Sequence, residues 1–333
     1  MKKILITGIA GLLGSHLSRY LLNKGYDVYG IDNLSGGYYE FIDTRITDQS
    51  KFFPVDVLNT HELNSIFDDH KFNVVFHLSA YASEGLSPFV RNYTYSNNLL
   101  STINIVNCCV NHKVDKLIFT SSMAVYGDGN PPFSENDPLK PVDPYGIAKV
   151  ASEQDIIQAG MQFGLKYNIV RPHNVLGVYQ NIWDKYRNVI GIWIRQIIDH
   201  KPITIFGDGS QVRAFSDIKF YLEPFEKLIH DFDNEVFNLG SDKYVTIKEA
   251  AGILLKVAAK FGYDEDIIYL EKRNEVKTAY SRHDKALEQL GFNDNTDLEE
   301  IFYHMFEWAL KEPQRSVKNL SYEIEKDIYS FWK

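Results

Sequence analysis

The chain has 333 residues, 44% hydrophobic and 24% charged, an ordinary globular composition that fills one large domain or two smaller ones. Its formal net charge of −9 argues against broad nucleic-acid binding. No apolar run reaches the ~18 residues of a membrane span, "MKKILITG" turns polar too soon for a signal peptide, and the histidines are too scattered to suggest a metal site.

The first predicted element is a strand over 3–8, "KILITG". Directly after it comes "TGIAGLLGSHL", where Gly8, Gly11 and Gly14 are spaced three apart and lead into a helix marked by Leu12, Leu13, Leu17, Tyr20 and Leu21. Glycines there permit a tight turn and let the backbone approach a pyrophosphate at the helix N-terminus. A second strand, 27–32, ends on Asp32, placed to accept hydrogen bonds from the adenine-side ribose hydroxyls. Its charge would repel a 2′-phosphate, which favours NAD over NADP. The plain alternative is a glycine-rich turn with a capping aspartate. A third strand, 51–57, carries Asp56 at its end, where it could meet the adenine.

Further strands are predicted at 73–80, 115–122 and 167–175, with helical patterns at 99–110 and 147–163 between them. Cys108 and Cys109, the only two cysteines, adjoin inside the apolar run "INIVNCCV" and read as buried free thiols, which fits a reducing, cytoplasmic compartment. Buried strands alternating with helices imply an α/β fold, a Rossmann-type doubly wound parallel sheet. From about 176 the rhythm changes, with strand signals only in "KPITIFGDG" and "VFNLG". We read a dinucleotide-binding domain over 1–176, to which some later segments return, and a smaller, interleaved C-terminal lobe over 177–333.

Ahead of the 147–163 pattern, "DPYGIAK" puts Tyr145 four residues before Lys149. Positions i and i+4 share a helix face. Asp143 is a good N-cap and Pro144 suits the first helical position. A free phenol has a pKa of about 10, and a neighbouring cation favours its ionised form. The pair therefore suits a general base with its tuner, although the spacing alone equally suits a lysine lying beside a ring.

Taken with the glycine turn, "HLSA" (77–80), "FTSSMAVYG" (119–127) and "YGIAK", in this order and spacing, make the chain resemble the extended short-chain dehydrogenase/reductase family. Within it, the chain is most similar to the nucleotide-sugar epimerases of the UDP-galactose 4-epimerase type. The resemblance implies NAD as cofactor and a UDP- or GDP-linked sugar as substrate. It makes Tyr145 the base, Lys149 its partner and holder of the nicotinamide ribose, and Ser122 the hydroxyl that meets the same sugar oxygen. Gly11, Leu12, Leu13, Asp32, Asn33, Asp56, Val57, Leu78, Ser79, Ala80 and Asn97 match cofactor contacts. Pro172 and His173 match positions beside the nicotinamide, and Asn174 one facing the substrate. Asn188 and Arg213 match diphosphate positions. Lys272 or Arg273, in "EKRNEVK", would join them, with Arg273 preferred.

Three departures from the family pattern qualify this. Met123 and Ala124 replace the Asp-Glu pair of sugar-nucleotide 4,6-dehydratases, so dehydration is disfavoured. Glu84 stands where 4-epimerases usually carry an apolar residue; it is either a substrate-selecting carboxylate or an exposed loop charge. "RAFSDIKFY" lacks the usual acidic pattern, which leaves the nucleotide base open. A 4-dehydrogenase that releases the keto sugar shares every one of these features, and a non-catalytic NAD-binding regulator shares the fold. The family also implies a homodimer built on helices at about 95–110 and 146–163, with Ile105 and Ile156 at the interface or in the core.

Overall fold

A computed structural model describes residues 2–317 and 320–332. The main sheet is built from β1 (Lys3–Thr7), β2 (Asp27–Ile31), β3 (Phe52–Phe53), β4 (Val74–His77), β5 (Lys116–Thr120), β6 (Tyr167–Pro172) and β7 (Glu235–Leu239). All neighbours pair in parallel, in the spatial order β7-β6-β5-β4-β1-β2-β3. Ile4, Leu5 and Ile6 are fully buried in succession, as they must be where helices cover both faces of a sheet. One face carries α1 (Leu12–Asn23); the other carries α2 (Thr60–His70), α3 (Ser101–Asn111) and α4 (Pro144–Phe163).

The strand order reverses between β1 and β4. Thr7 is in register with Ile31 on one side and His77 on the other. Loops leaving the C-terminal ends of these strands splay apart, which is where open α/β sheets bind ligands. Both α1 and α4 begin at that edge.

Two predicted strands are shorter than their apolar runs. The 51–57 run pairs only at Phe52–Phe53, because past Pro54 the Val55 N–H turns back to the Phe53 carbonyl at 2.9 Å instead of continuing the ladder. The 167–175 run leaves the sheet after Pro172. Asn174 takes φ +36°, and Val175–Leu176 then pairs with Ser216–Asp217 in a separate ribbon. That break carries the chain into a second lobe, whose core includes Trp193, Ile194, Phe215, Leu254 and Phe302. The lobe contains the helices α5 (Val189–Ile198), α6 (Ile247–Ala259) and α7 (Leu298–Ala309) and several short strands. Between them the chain returns to the sheet to add β7 beside β6.

α4 starts as its sequence dictates. The Asp143 carboxylate accepts the Gly146 N–H at 2.9 Å, Pro144 occupies the first turn, and Gly164 ends the helix at φ +74°. The helical run before β5 begins at Arg91 and passes through one wide turn, Ser96–Leu100, before α3. Ile105 and Ile156 are fully buried in the core under the sheet, so neither is free to serve a subunit interface. The apolar side chains these helices expose are Leu100, Ile147, Met161 and Phe163. Cys108 and Cys109 are buried. Among the described residues no helix is long and apolar enough to cross a membrane.

Candidate active site

The glycine turn after β1 has no room for side chains at two of its three positions. A Cβ on Gly8, whose φ is +73°, would lie 2.8 Å from the Ser79 backbone, and one on Gly14 would lie 2.3 Å from the Gly8 carbonyl. Gly11 differs: its nearest neighbour would be the Gly8 carbonyl at 3.4 Å. Gly11 is also the N-cap of α1 and supplies no side chain to the first N–H groups of that helix. An open cradle faces the cavity there, with the positive end of α1 pointing into it. These residues fit a pyrophosphate.

Asp32, at the end of β2, accepts the Ala10 N–H on Oδ2 (3.0 Å) and the Leu34 N–H on Oδ1 (2.8 Å). It therefore pins the glycine turn to its own loop, and each oxygen keeps a lone pair for a ribose hydroxyl. Burial raises its pKa, and the two backbone donors oppose that rise. Beside it, Asn33 donates to Asp56 at 2.9 Å, and Asp56 also accepts the Leu58 N–H. The Val57 carbonyl accepts from Asn104, Asn97 donates to the Tyr93 carbonyl, and Ser79 is hydrogen-bonded to Thr7. None of these five side chains lines the cavity that Gly11 faces, which measures about 410 Å³.

Gly11, Leu12, Leu13, Leu78 and Ala80 line one side of that cavity, and Ser122, Tyr145 and Lys149 lie further in. The Lys149 ammonium donates to the Thr120 carbonyl at 2.7 Å and sits 4.6 Å from the Phe119 ring centre. Burial brings its pKa down to about 7, against the opposing charge of Glu153. Ser122 accepts the Ala124 N–H at 3.1 Å, which fixes the short turn Met123–Val125. Tyr145 is nearly buried, and its pKa is raised above the usual value, first by burial and then by the charge of Glu84; a Ser122 hydrogen bond pulls the other way. The expected tuning of the phenol by Lys149 is therefore not what dominates here. In this state the phenol is held protonated, because both groups are desolvated together.

Pro172 and Asn174 also line the cavity, and Asn174 donates to the Ala214 carbonyl at 2.9 Å. His173 does not follow them, contrary to its expected place beside the nicotinamide. It turns inward beneath Gly240, whose missing side chain makes its room, and its Nε2 lies 2.9 Å from Nε2 of His283. Alternation along an extended backbone sends this residue to the face opposite its neighbours.

Cationic groups gather on the far wall. Arg213 donates to the Val212 and Val276 carbonyls and pairs with Glu275, and Asn188 caps α5 with its side chain. Arg273 lies 3.9 Å from the Phe206 ring centre and faces the cavity; Lys272 is exposed and not part of its lining. Glu84 lines the cavity and is at the same time an exposed residue. Its carboxyl opens into solvent within the cavity while protein surrounds it. Its pKa is pushed up to about 7 by burial and by Asp143, with Arg213 and Arg273 opposing.

Sequence reasoning missed Arg187. It lies 4.9 Å from the Tyr81 ring centre, donates to Asp184 at 3.0 Å, and extends so close to Gly36 that a Cβ there would meet it at 2.0 Å. It thus reaches from the second lobe to the loop after Asp32. Its one local signal was adjacency to Asn188 in "YRNV".

Residues 4–240 match the family described as the NAD dependent epimerase/dehydratase family. The chain belongs to this family. It is 32% identical over 313 residues to a putative UDP-glucose 4-epimerase of Methanocaldococcus jannaschii, covering 92% of this chain and 97% of that one. A UDP-glucose 4-epimerase from Thermotoga maritima, solved with UDP-glucose, is similar with a TM-score of 0.86 at 30% identity, covering 93% of this chain and 99% of that one. A UDP-glucuronic acid 4-epimerase from Bacillus cereus, solved with UDP-glucuronic acid and NAD, has a TM-score of 0.81 at 27% identity, covering 92% of this chain and 98% of that one. As in other NAD dependent epimerase/dehydratase proteins, the cofactor is NAD, and the cradle at Gly11 fits its pyrophosphate.

Proposed function

We propose that the protein is an NAD-dependent UDP-sugar 4-epimerase. The observation that carries this is the convergence of Ser122, Tyr145 and Lys149 on one cavity that also holds the open glycine cradle and, opposite it, Arg213, Arg273 and Asn188. The nicotinamide, when bound, accepts a hydride from the sugar and returns it. Tyr145 takes the proton from the sugar 4-hydroxyl and later gives it back, and Ser122 holds the same oxygen. Lys149 anchors the nicotinamide ribose and supplies positive charge beside the phenol. Because burial and Glu84 hold Tyr145 protonated, its ionisation requires further positive charge in the cavity.

Asp32 receives the adenine ribose, with Asn33, Asp56, Val57, Ser79 and Asn97 shaping the adenine side. Arg213, Arg273 and Asn188 take the sugar-nucleotide diphosphate, which suits arginine forks. Uridine is the base named among the similar proteins. Met123 and Ala124 hold no proton to donate, so the reaction stops short of dehydration. Residues 1–176, with β7, serve the cofactor, and 177–333 mainly serve the sugar nucleotide. The exposed Leu100, Ile147, Met161 and Phe163 support a homodimer through the two helical segments. Two buried thiols support a cytoplasmic location.

The test begins by denaturing the purified protein and identifying the released dinucleotide. UDP-glucose is then supplied without any added acceptor. Formation of UDP-galactose or, from the corresponding uronate or N-acetylhexosamine nucleotide, its C4 epimer, with no net NADH, is the expected result. Turnover that stops after one equivalent and resumes with a keto acid would identify a dehydrogenase instead.

A further inference from the structure

The segment 320–332 wraps across the mouth of the cavity and touches both lobes. Toward the sheet domain, the Glu323 and Ile324 N–H groups donate to the Phe89 carbonyl at 2.8 and 3.2 Å. The Glu323 carboxylate accepts the N–H groups of Asn92 (2.7 Å) and Tyr93 (3.0 Å). Toward the second lobe, the Tyr329 and Phe331 rings lie 6.1 and 6.3 Å from Phe206. Trp332 is nearly buried, edge-on to Phe89, Tyr186 and Tyr329 at 5.1–6.0 Å. The Tyr322 hydroxyl donates to the Trp332 carbonyl at 2.9 Å and also meets the Tyr186 hydroxyl.

This strap reaches the chemistry. Phe331 and Trp332 line the same cavity as Tyr145 and Ser122. Gly85, next to Glu84, faces the strap: a Cβ there would make ordinary contact with the Trp332 ring at 3.5 Å and a closer one with the Arg273 guanidinium at 3.0 Å. Trp332 and Arg273 therefore border the turn that carries Glu84 into the cavity.

We infer that Trp332 and Phe331 wall the sugar end of the cavity, so that the strap retains the sugar between the two half-reactions. The inference rests on the epimerase reading. An epimerase must hold its 4-keto sugar long enough for C4 to present its other face, and a wall that engages both lobes supplies that retention. The uridine diphosphate end lies against Arg213 and Asn188 of the second lobe, and Arg273 borders both that end and Trp332. Loss of the wall should hasten release of the UDP-sugar more than release of UDP alone.

The experiment measures release of UDP-glucose and of UDP from enzyme whose nicotinamide has been reduced beforehand, so that no hydride can leave the sugar. Trp332→Ala should release UDP-glucose about 10-fold faster or more, since a buried aromatic contact is worth on the order of a factor of ten. UDP release should change less than about twofold. Glu323→Gln, which weakens the strap from outside the cavity, should shift UDP-glucose in the same direction by a smaller factor, and it serves if the tryptophan variant does not fold. With oxidised cofactor, both variants should accumulate NADH and released UDP-4-keto sugar in a fraction of turnovers. Equal acceleration of UDP and UDP-glucose, or no acceleration of either in both variants, overturns the strap inference. Wild-type protein that binds neither ligand overturns the UDP-sugar reading and the strap with it.

Discussion

Lys149 combines full burial with a pKa of about 7, against an ordinary 10.5, because burial desolvates its ammonium. In the unfolded chain the same amine protonates with an ordinary pKa, so the unfolded state binds the proton more readily. Each unit of difference is worth ~1.4 kcal/mol, which puts the cost of the folded ammonium at about 5 kcal/mol below pH 7. The penalty is complete at low pH and fades as pH rises from about 7 toward 10.5. Lys149→Met removes the charge but also leaves the Thr120 carbonyl without its donor, a loss of about 1–3 kcal/mol. Protein stripped of dinucleotide should therefore be more stable as Lys149→Met than as wild type by ~2–4 kcal/mol at pH 6. Between pH 6 and pH 9 wild type should regain about 3 kcal/mol, bringing the two near parity. Urea melts of both proteins across this range measure it. A stability difference that stays constant from pH 6 to pH 9 would refute the reasoning, because the lysine would then carry its charge at no cost. The same variant should bind NAD more weakly, so a stability gain would accompany a functional loss.

Tyr145→Phe removes one oxygen from a packed ring, so folding and NAD occupancy should persist while single-turnover hydride transfer falls by roughly 10²–10⁴-fold; a rate within about threefold of wild type would take Tyr145 out of the mechanism. Asp32→Ala should narrow the preference for NAD over NADP in direct titrations, and a wild type that favours NADP would contradict the role given to this carboxylate. Gly14→Ala places a methyl against backbone atoms of Gly8 and Ile9 and should destabilise by ~3 kcal/mol or more. Gly11→Ala should melt like wild type yet purify with little NAD, and normal occupancy would mean that the pyrophosphate lies elsewhere. Because Met123 and Ala124 cannot move a proton, mass spectrometry should find no 4-keto-6-deoxy product from UDP- or GDP-hexoses.

The parts of the fold that local chemistry determines were legible in the amino acids. Buried strand runs, the spacing of Gly8, Gly11 and Gly14, and the Asp143-Pro144 start of α4 each act within a few residues. Less legible were features decided by partners distant in sequence. The seven-residue run at 51–57 shrank to a two-residue strand because the Val55 N–H, next in line to pair with β2, turns back to the Phe53 carbonyl. His173 looked like its neighbours in "RPHNV", yet the space beneath Gly240 and the ring of His283 drew it away from the cavity. Glu84 was ambiguous for a related reason, since an acidic loop residue reads alike whether it faces bulk water or an enclosed cavity. Arg187 and Trp332 reach the site from the second lobe and the strap, and no periodicity encodes such a reach.

The position of β7 has a consequence for how the protein is made. Glu235–Leu239 pairs with β6, and the buried Asn168 depends on that return: its amide donates to the Phe232 carbonyl at 2.9 Å and its oxygen accepts the Glu235 N–H at 3.2 Å. A ribosome must therefore deliver the segment 177–234 before the outer strand of the sheet can form. Until then β6 is a bare edge whose Asn168 amide lacks its partners, open to pairing with another nascent chain. The two lobes cannot mature one after the other, and a gene split or domain fusion placed at 176 would separate halves that complete each other's folding.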